Sequence, residues 1–549
     1  MKQIGFSIIT TLLILASAVA AEAQTPSQPR IVNIINFVRL LEPRDPVNFS
    51  EDVLFKTVEK QAADLCEKQL PATFLLQYDA LITPRYQELM KNSLYPGSEV
   101  GGWWEITQPH VEAAGLKWRG RYPWDWHADV GFATGYTPEE REVLVDVYMA
   151  KFKAIFGYYP KSVGSWFIDA HTLTYMYEKY GIVASCNCRD QYGTDGYTLW
   201  GGYWNQAYYP SRVNAYMPAQ TKSAQIPVPI FRMLGSDPIY QYDTSLNAPQ
   251  GVITLEPACN GAGNSKKWVE WYFSTMFTQP SLAFNFVHVG QENSFGWNRI
   301  EQGWNIQIPL VAQWRAEGRI RVETLAESGA WFKKNFPLTP ATAITAMSDQ
   351  NNNPIGSVWY NSRYYRVNLF WSHNEFRFRD IHLFDERVKS NYLTEPCKSN
   401  KCEFMTFPFV DGYMWSTSSW WAGLRLVEIL ADGSSREIKP GQPQIEERGS
   451  KLIASCHPTE GDLKITCKEK RLEVSLTNNS VKWALELTVA NGKHAPFTEI
   501  SAQKIKAELN GDTYEVNAIC GEFEQGKERQ VLRIYPKHNK IALDCDLSK

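Results

Sequence analysis

No block of basic residues interrupts this chain. Lys and Arg number 56 against 59 Asp and Glu, a formal net charge of −3. Nucleic-acid binding draws on clustered positive charge, so no nucleic-acid partner is expected. Beyond the N-terminus there is no apolar run of the length that crosses a bilayer, so no membrane span is expected. The 10 cysteines lack zinc-module spacing, and none stands where a lipid anchor would attach.

The chain opens MKQIGFSIITTLLILASAVAAEAQ. A basic start, an apolar run and Ala21-Glu22-Ala23 before Gln24 form the pattern of a cleaved secretory signal over residues 1–23. The expected location is therefore secreted or periplasmic. Export permits disulfides. Spacing allows Cys397 with Cys402, Cys456 with Cys467, and Cys520 with Cys545, whereas Cys186 and Cys188 alternate along a strand and do not pair with each other. Aromatic residues make up 13% of the chain, with 20 Trp and 27 Tyr. Sugar rings stack on aromatic faces, which suits carbohydrate work, but a large barrel also buries many such rings.

Residues 157–189, GYYPKSVGSWFIDAHTLTYMYEKYGIVASCNCR, organise the rest. Residues 162–168 form a buried strand closed by Asp169, 172–180 a helix stopped by Gly181, and 182–188 a second strand closed by Asp190. The alternation continues with strands at 31–39, 72–78, 99–106, 229–234 and 283–289, and helices at 55–68, 137–156, 266–277, 300–317 and 325–336. Thr137 caps the second of these helices, Pro138 takes its first turn, and Glu139 and Glu140 suit its dipole. Such alternation predicts an α/β fold, a seven-stranded (β/α) barrel. Past Pro337 short alternating runs such as RLEVSLTN predict C-terminal β-sandwich modules. The expected organisation is a barrel over 24–337, a β-rich domain over 338–445 packed on it, and a sandwich over 446–549. The connection 191–228 is long, aromatic and turn-rich, as functional loops often are.

Acids stand at or just past most of these strand ends: Asp79, Glu105, Asp169, Asp190, Asp237 and Glu292. One such acid is most often a helix cap or a loop residue. Six converging on the C-terminal rim of a barrel would make a catalytic mouth. Paired carboxylates perform glycosidic cleavage as acid and nucleophile, or acid and base. Trp103, Trp104, Trp166 and Trp297 lie close in sequence to these acids. His171 either serves Asp169 or a sugar hydroxyl, or faces solvent at a helix start. His288 reads as a packed strand histidine. Arg232, inside a strand, needs a carboxylate partner.

The pattern resembles the glycoside hydrolase/polysaccharide deacetylase-like barrels, shared by family-57 glycosidases and NodB-type deacetylases. The resemblance runs over residues 31–336. It rests on the strand ending at Asp79, E-V-G-G at 99–102, G-x-x-P at 157–160, and W-F-I-D followed by a helix, K-Y-G-I and a strand. It implies that Asp169 stands where family-57 enzymes carry their nucleophilic Glu in W-x-x-E, and that Glu292 is nearest to their acid on the seventh strand. The deacetylase branch carries H-[ST]-x-x-H after E-V-G. Here Trp103 and Thr107 stand in place of the ligands, while His110 and His127 lie nearby. The chain also resembles secreted Bacteroidetes proteins of unknown function.

The leading expectation is a secreted, retaining, metal-independent glycoside hydrolase acting on a poly- or oligosaccharide, without cofactor. Asp169 is the expected nucleophile, Glu292 the acid/base and Glu105 a further catalytic acid. Asp79, Tyr78, Trp103, Trp104, His110, His171, Arg232, Asp237 and Trp297 are the expected substrate-binding residues. The alternatives are a metal-dependent deacetylase using Asp79 with His110 or His127, and a non-catalytic glycan-binding protein.

Overall fold

A computed structural model describes residues 28–246, 248–526 and 530–548. The expected secretory signal lies outside the described residues. Eight strands run parallel: β1 (Arg30–Val38), β2 (Thr73–Leu76), β3 (Glu99–Trp103), β4 (Ser162–Gly164), β5 (Ala184–Asn187), β6 (Ile230–Arg232), β7 (Asn285–Val289) and β8 (Arg321–Glu323). The sheet order is β7-β1-β2-β3-β4-β5-β6, with β8 beside the first half of β1 and the antiparallel strand Ala207–Tyr208 beside β6. The result is an α/β fold whose barrel-like sheet nearly closes.

Closure comes from a side chain. Gln206, fully buried, accepts from the backbone N–H of Arg232 through its carbonyl at 3.2 Å. Its amide oxygen accepts from the Phe286 N–H at 2.9 Å, and its amide nitrogen donates to the Phe286 carbonyl at 3.3 Å. A primary amide has the donor and acceptor of a peptide group, so it bridges the seam as a strand residue would.

The helices form as their termini direct. The helix Pro138–Phe156 begins in a full capping box, Thr137 with Glu140, and ends at Gly157 in the left-handed region. Inside the barrel, Phe37 stacks on Trp103 at 4.4 Å, and Trp103 meets Trp166 edge-on at 5.3 Å. The strand expected over 162–168 stops at Gly164, because the chain turns out of the sheet toward the cap of the next helix. The connection after β5 contains short strands, and one of them, Tyr197–Trp200, pairs in parallel with Cys402–Met405 from the C-terminal half.

Past the barrel, a ten-stranded sheet and an eight-stranded antiparallel sheet follow. The first takes strands from both sides of residue 445, Gly423–Ile429 pairing with Trp483–Thr488. Phe407 stacks on Tyr514 at 4.6 Å between the two sheets. A buried ion network ties the ten-stranded sheet to the barrel. Asp190 accepts from Arg232 at 2.6 Å, from Tyr216 at 2.7 Å and from Arg366, whose guanidinium also binds Asp380 at 2.8 and 2.9 Å.

The expected disulfides do not form: all ten cysteines are free. Register explains one case, since Cys467 stands opposite Leu452 and Cys456 opposite Leu463, at different ends of the same ladder. Cys520 likewise stands opposite Ala542 rather than Cys545. Cys397 turns its thiol to the Ser399 and Lys401 carbonyls, while Cys402 begins a strand.

Candidate active site

The parallel strands end around one cavity of about 100 Å³. Arg39 follows β1, Glu105 β3, Trp166 β4, Arg189 β5, Leu234 β6 and Glu292 β7, and all of them line it. The C-terminal edge of a barrel is where side chains from distant segments converge. Trp124 and Trp126, from the insertion after β3, complete the aromatic wall.

Arg39 is the hub. Its Nε and Nη2 donate to the two Glu105 oxygens at 2.8 and 2.6 Å, and its Nη1 stands 2.7 Å from Glu292 Oε2. The guanidinium lies 4.2 Å from the Trp124 ring centroid. Gln77, just past β2, donates to Glu105 at 3.0 Å, so both Glu105 oxygens are engaged. The Arg39 backbone exchanges two hydrogen bonds with the Asn293 side chain, each 2.8 Å, which pins the Glu292 loop to the end of β1. That loop needs Gly290: its φ is 120°, and a Cβ there would strike the Ile35 carbonyl.

Burial pushes the Glu292 carboxyl up to about 7 against the pull of Arg39 and Arg44, and Glu105 and Glu256 add to the rise. Glu256 lines the same cavity. Its oxygens accept from Gln291 Nε2 at 3.2 Å and Thr254 Oγ1 at 3.0 Å, and burial raises its pKa as well. Two carboxyls raised by burial beside indole rings are suited to exchanging protons with a bound substrate.

Of the expected catalytic and binding residues, only Glu105 and Glu292 line this cavity. Asp169, the expected nucleophile, is instead the N-cap of the helix Ala170–Tyr180. It accepts from Thr172 N–H at 2.9 Å, Thr172 Oγ1 at 2.6 Å and Arg141 at 3.0 Å. Asp237 anchors a loop through the Ile239 and Tyr240 N–H groups and Trp268. Arg232 belongs to the Asp190 network. His171 is on the surface beside Glu142, and Trp297 opens a helix with its indole N–H on Glu301.

The remaining expectations are packed inside. Trp103 lies within the barrel, and Trp104 meets Tyr148 and His110 edge-on in the layer outside it. Tyr78 stacks on His110 at 4.4 Å. His110 Nε2 bonds the Leu144 carbonyl at 2.8 Å, and burial lowers its pKa to about 4. Asp79 is buried with one oxygen on the Ala80 N–H, the other without a hydrogen-bond partner, and burial pushes it up to about 7. Among the described residues no group of three or more His, Cys, Asp or Glu is arranged to hold a metal ion.

The residues that sequence reasoning missed are Arg39, Trp124, Arg189 and Glu256. Arg39 carries a signal, since it closes the first strand and a strand-end cation reaches the mouth as readily as an acid does. Arg189 precedes the rim acid Asp190 by one position. Trp124 and Glu256 sit in loops whose folding back over the mouth has no local signature.

Residues 128–345 match the family described as a domain of unknown function with a solved structure, DUF3863. A candidate glycoside hydrolase/deacetylase from Parabacteroides distasonis has a similar structure: 16% identity, TM-score 0.52, covering 70% of this chain and 92% of that one. The chain shares the barrel fold of that structure. Looser likenesses are to a candidate polysaccharide deacetylase from Mycobacterium smegmatis (12% identity, TM-score 0.34, 57% and 94% covered) and a 4-alpha-glucanotransferase from Thermococcus litoralis (10%, 0.28, 94% and 99%). No curated protein matches the sequence.

Proposed function

We propose that the protein is a carbohydrate-active hydrolase that cleaves glycosidic bonds, with Glu292 as proton donor and Glu256 as the second carboxylate. The observation that carries the proposal is the pair itself: two carboxyls raised by burial, lining one cavity at the barrel mouth beside Trp124, Trp126 and Trp166. Leaving-group departure needs a protonated acid, and Glu292 keeps its proton up to about neutral pH. Glu105 is a positioning residue. With its oxygens on Arg39 and Gln77 it fixes the guanidinium that in turn orients Glu292. Asp169 has no part in this scheme, because its carboxylate is spent on the helix cap and Arg141.

The test is a panel of aryl glycosides and oligosaccharides assayed with wild type, Glu292→Gln and Glu256→Gln. Each variant should lose about 10²- to 10⁴-fold in kcat, the range typical of a missing general acid or base, with unfolding temperature preserved. Proton NMR of the first-formed anomer should show retention, with Glu256 as nucleophile. Inversion would make Glu256 a base acting through water. Glycan binding without turnover in wild type would reject the hydrolase reading.

A further inference from the structure

Seven arginines are buried among the described residues: Arg39, Arg141, Arg189, Arg232, Arg366, Arg377 and Arg379. Six have a carboxylate within ion-pair distance: Arg39 has Glu105 and Glu292, Arg141 has Asp169, Arg232 and Arg366 share Asp190, and Arg377 and Arg379 share Asp243. Arg189 alone has no such partner among the described residues. It is 1% exposed. Its Nη1 donates to neutral acceptors, the Asp190 carbonyl and, at 3.5 Å, the Gln250 side chain, and its Nε has no hydrogen-bond partner. Glu256 feels its charge but stands outside ion-pair distance.

A buried, uncompensated cation is costly, and elsewhere this fold removes that cost with a carboxylate. The exception lies in the wall of the cavity, beside the two carboxyls of the proposed site. The other cavity arginines are already matched, Arg39 by Glu105 and Arg44 by Glu42 at 2.7 and 2.8 Å. The missing counter-ion therefore falls where a ligand would sit. A guanidinium offers paired donors that match a carboxylate or sulfate.

We propose that Arg189 recognises an oxyanion carried by the substrate, so that the site takes an acidic sugar, either a uronic acid or a sulfated residue. This rests on the sugar-binding reading above but does not depend on which carboxyl acts in catalysis. In the sequence, Arg189 ends the A-S-C-N-C-R run directly after β5, on the same rim position that delivers the other lining residues.

Calorimetric titration tests it without turnover. Methyl glucuronide, glucose 6-sulfate and methyl glucoside are titrated into the wild-type protein and into Arg189→Met and Arg189→Lys. One of the two anionic probes should bind wild type about 10- to 100-fold more tightly than the neutral one, the range of a charge-assisted hydrogen bond. Arg189→Met should abolish that preference and Arg189→Lys restore part of it. The stronger of the two anionic probes tells uronate from sulfate. Equal affinity for charged and neutral probes, no measurable binding of either anionic probe, or a preference that survives in Arg189→Met would each overturn the proposal. The wild-type comparison stands even where a variant fails to fold. Anion-selective binding without hydrolysis of any glycan would uphold Arg189's role while rejecting the hydrolase reading. Hydrolysis confined to neutral glycans would do the reverse.

Discussion

Gln206 closes the barrel on Phe286 with its side chain, taking both backbone groups of one residue of β7 while its own carbonyl holds the Arg232 N–H on β6. No backbone ladder joins β6 to β7. The mouth therefore owes its shape at this seam to one amide. Gln206→Ala leaves two buried backbone groups unsatisfied, and should cost about 2–4 kcal/mol of stability, read by denaturant unfolding. Gln206→Glu, which cannot donate when ionised, should lose the bond to the Phe286 carbonyl and gain a buried charge, and should fall further as pH rises.

The raised Glu292 carboxyl predicts two pH effects of related origin. As proton donor it must be protonated, so kcat should fall as pH rises through about 7. For stability, the folded carboxyl binds its proton more tightly than the unfolded one, whose pKa is about 4.3. The wild-type protein therefore loses stability as pH climbs from about 4.3 to about 7, and the loss is complete above that. Glu292→Gln removes this contribution. Relative to wild type it should gain stability between pH 5 and pH 8, by up to about 3 kcal/mol, in parallel urea titrations. A variant whose stability tracks wild type at both pH values would remove Glu292 as the buried acid.

The alternation of strands and helices was legible because apolar periodicity and caps are local: Thr137, Pro138 and Gly157 mark one helix in full. The rule that side chains gather at the C-terminal strand edge was legible too, and it located Glu105 and Glu292. What it could not do was separate a carboxylate facing the mouth from one used by the backbone. Asp79, Asp169, Asp190 and Asp237 occupy equivalent sequence positions, yet they end as a buried acid, a cap, an ion-network centre and a loop anchor. The deciding partners, Arg141, Arg366 and Trp268, are remote in sequence. The tryptophans failed for a related reason. Successive strand residues point to opposite faces, and both faces of this sheet are covered, so Trp103 and Trp104 are each buried in a different layer.

Asp169 separates structure from catalysis cleanly. Its carboxylate caps a helix and neutralises Arg141, whose side chain is fully buried. Asp169→Asn keeps a capping oxygen but removes the countercharge, and should cost about 2 kcal/mol or more. Below its unfolding temperature, kcat should change by no more than a few-fold. A loss of kcat as large as that of Glu292→Gln, with an unchanged melting temperature, would return Asp169 to the catalytic set.

The attachment of the ten-stranded sheet should be acid-sensitive through Asp190. Burial disfavours its ionised form, but Arg366 and Arg232 outweigh that and hold it below the usual carboxylate range, with Tyr216 and the Gly201 N–H adding bonds to the carboxylate. A depressed folded pKa contributes stability that is present above the unfolded value, about 3.9, and is lost as pH falls through the folded one. Asp190 should therefore help to keep the barrel and the ten-stranded sheet associated at neutral pH and release them in acid. Arg366→Met removes the shared cation and leaves Asp190 and Asp380 facing each other across its place. Breaking a buried pair costs about 3–5 kcal/mol, and this variant breaks two. It should unfold at lower denaturant concentration, and limited proteolysis should cut first between the barrel and the ten-stranded sheet. Wild-type resistance to proteolysis in Arg366→Met at neutral pH would show that the apolar contacts alone hold the two parts together.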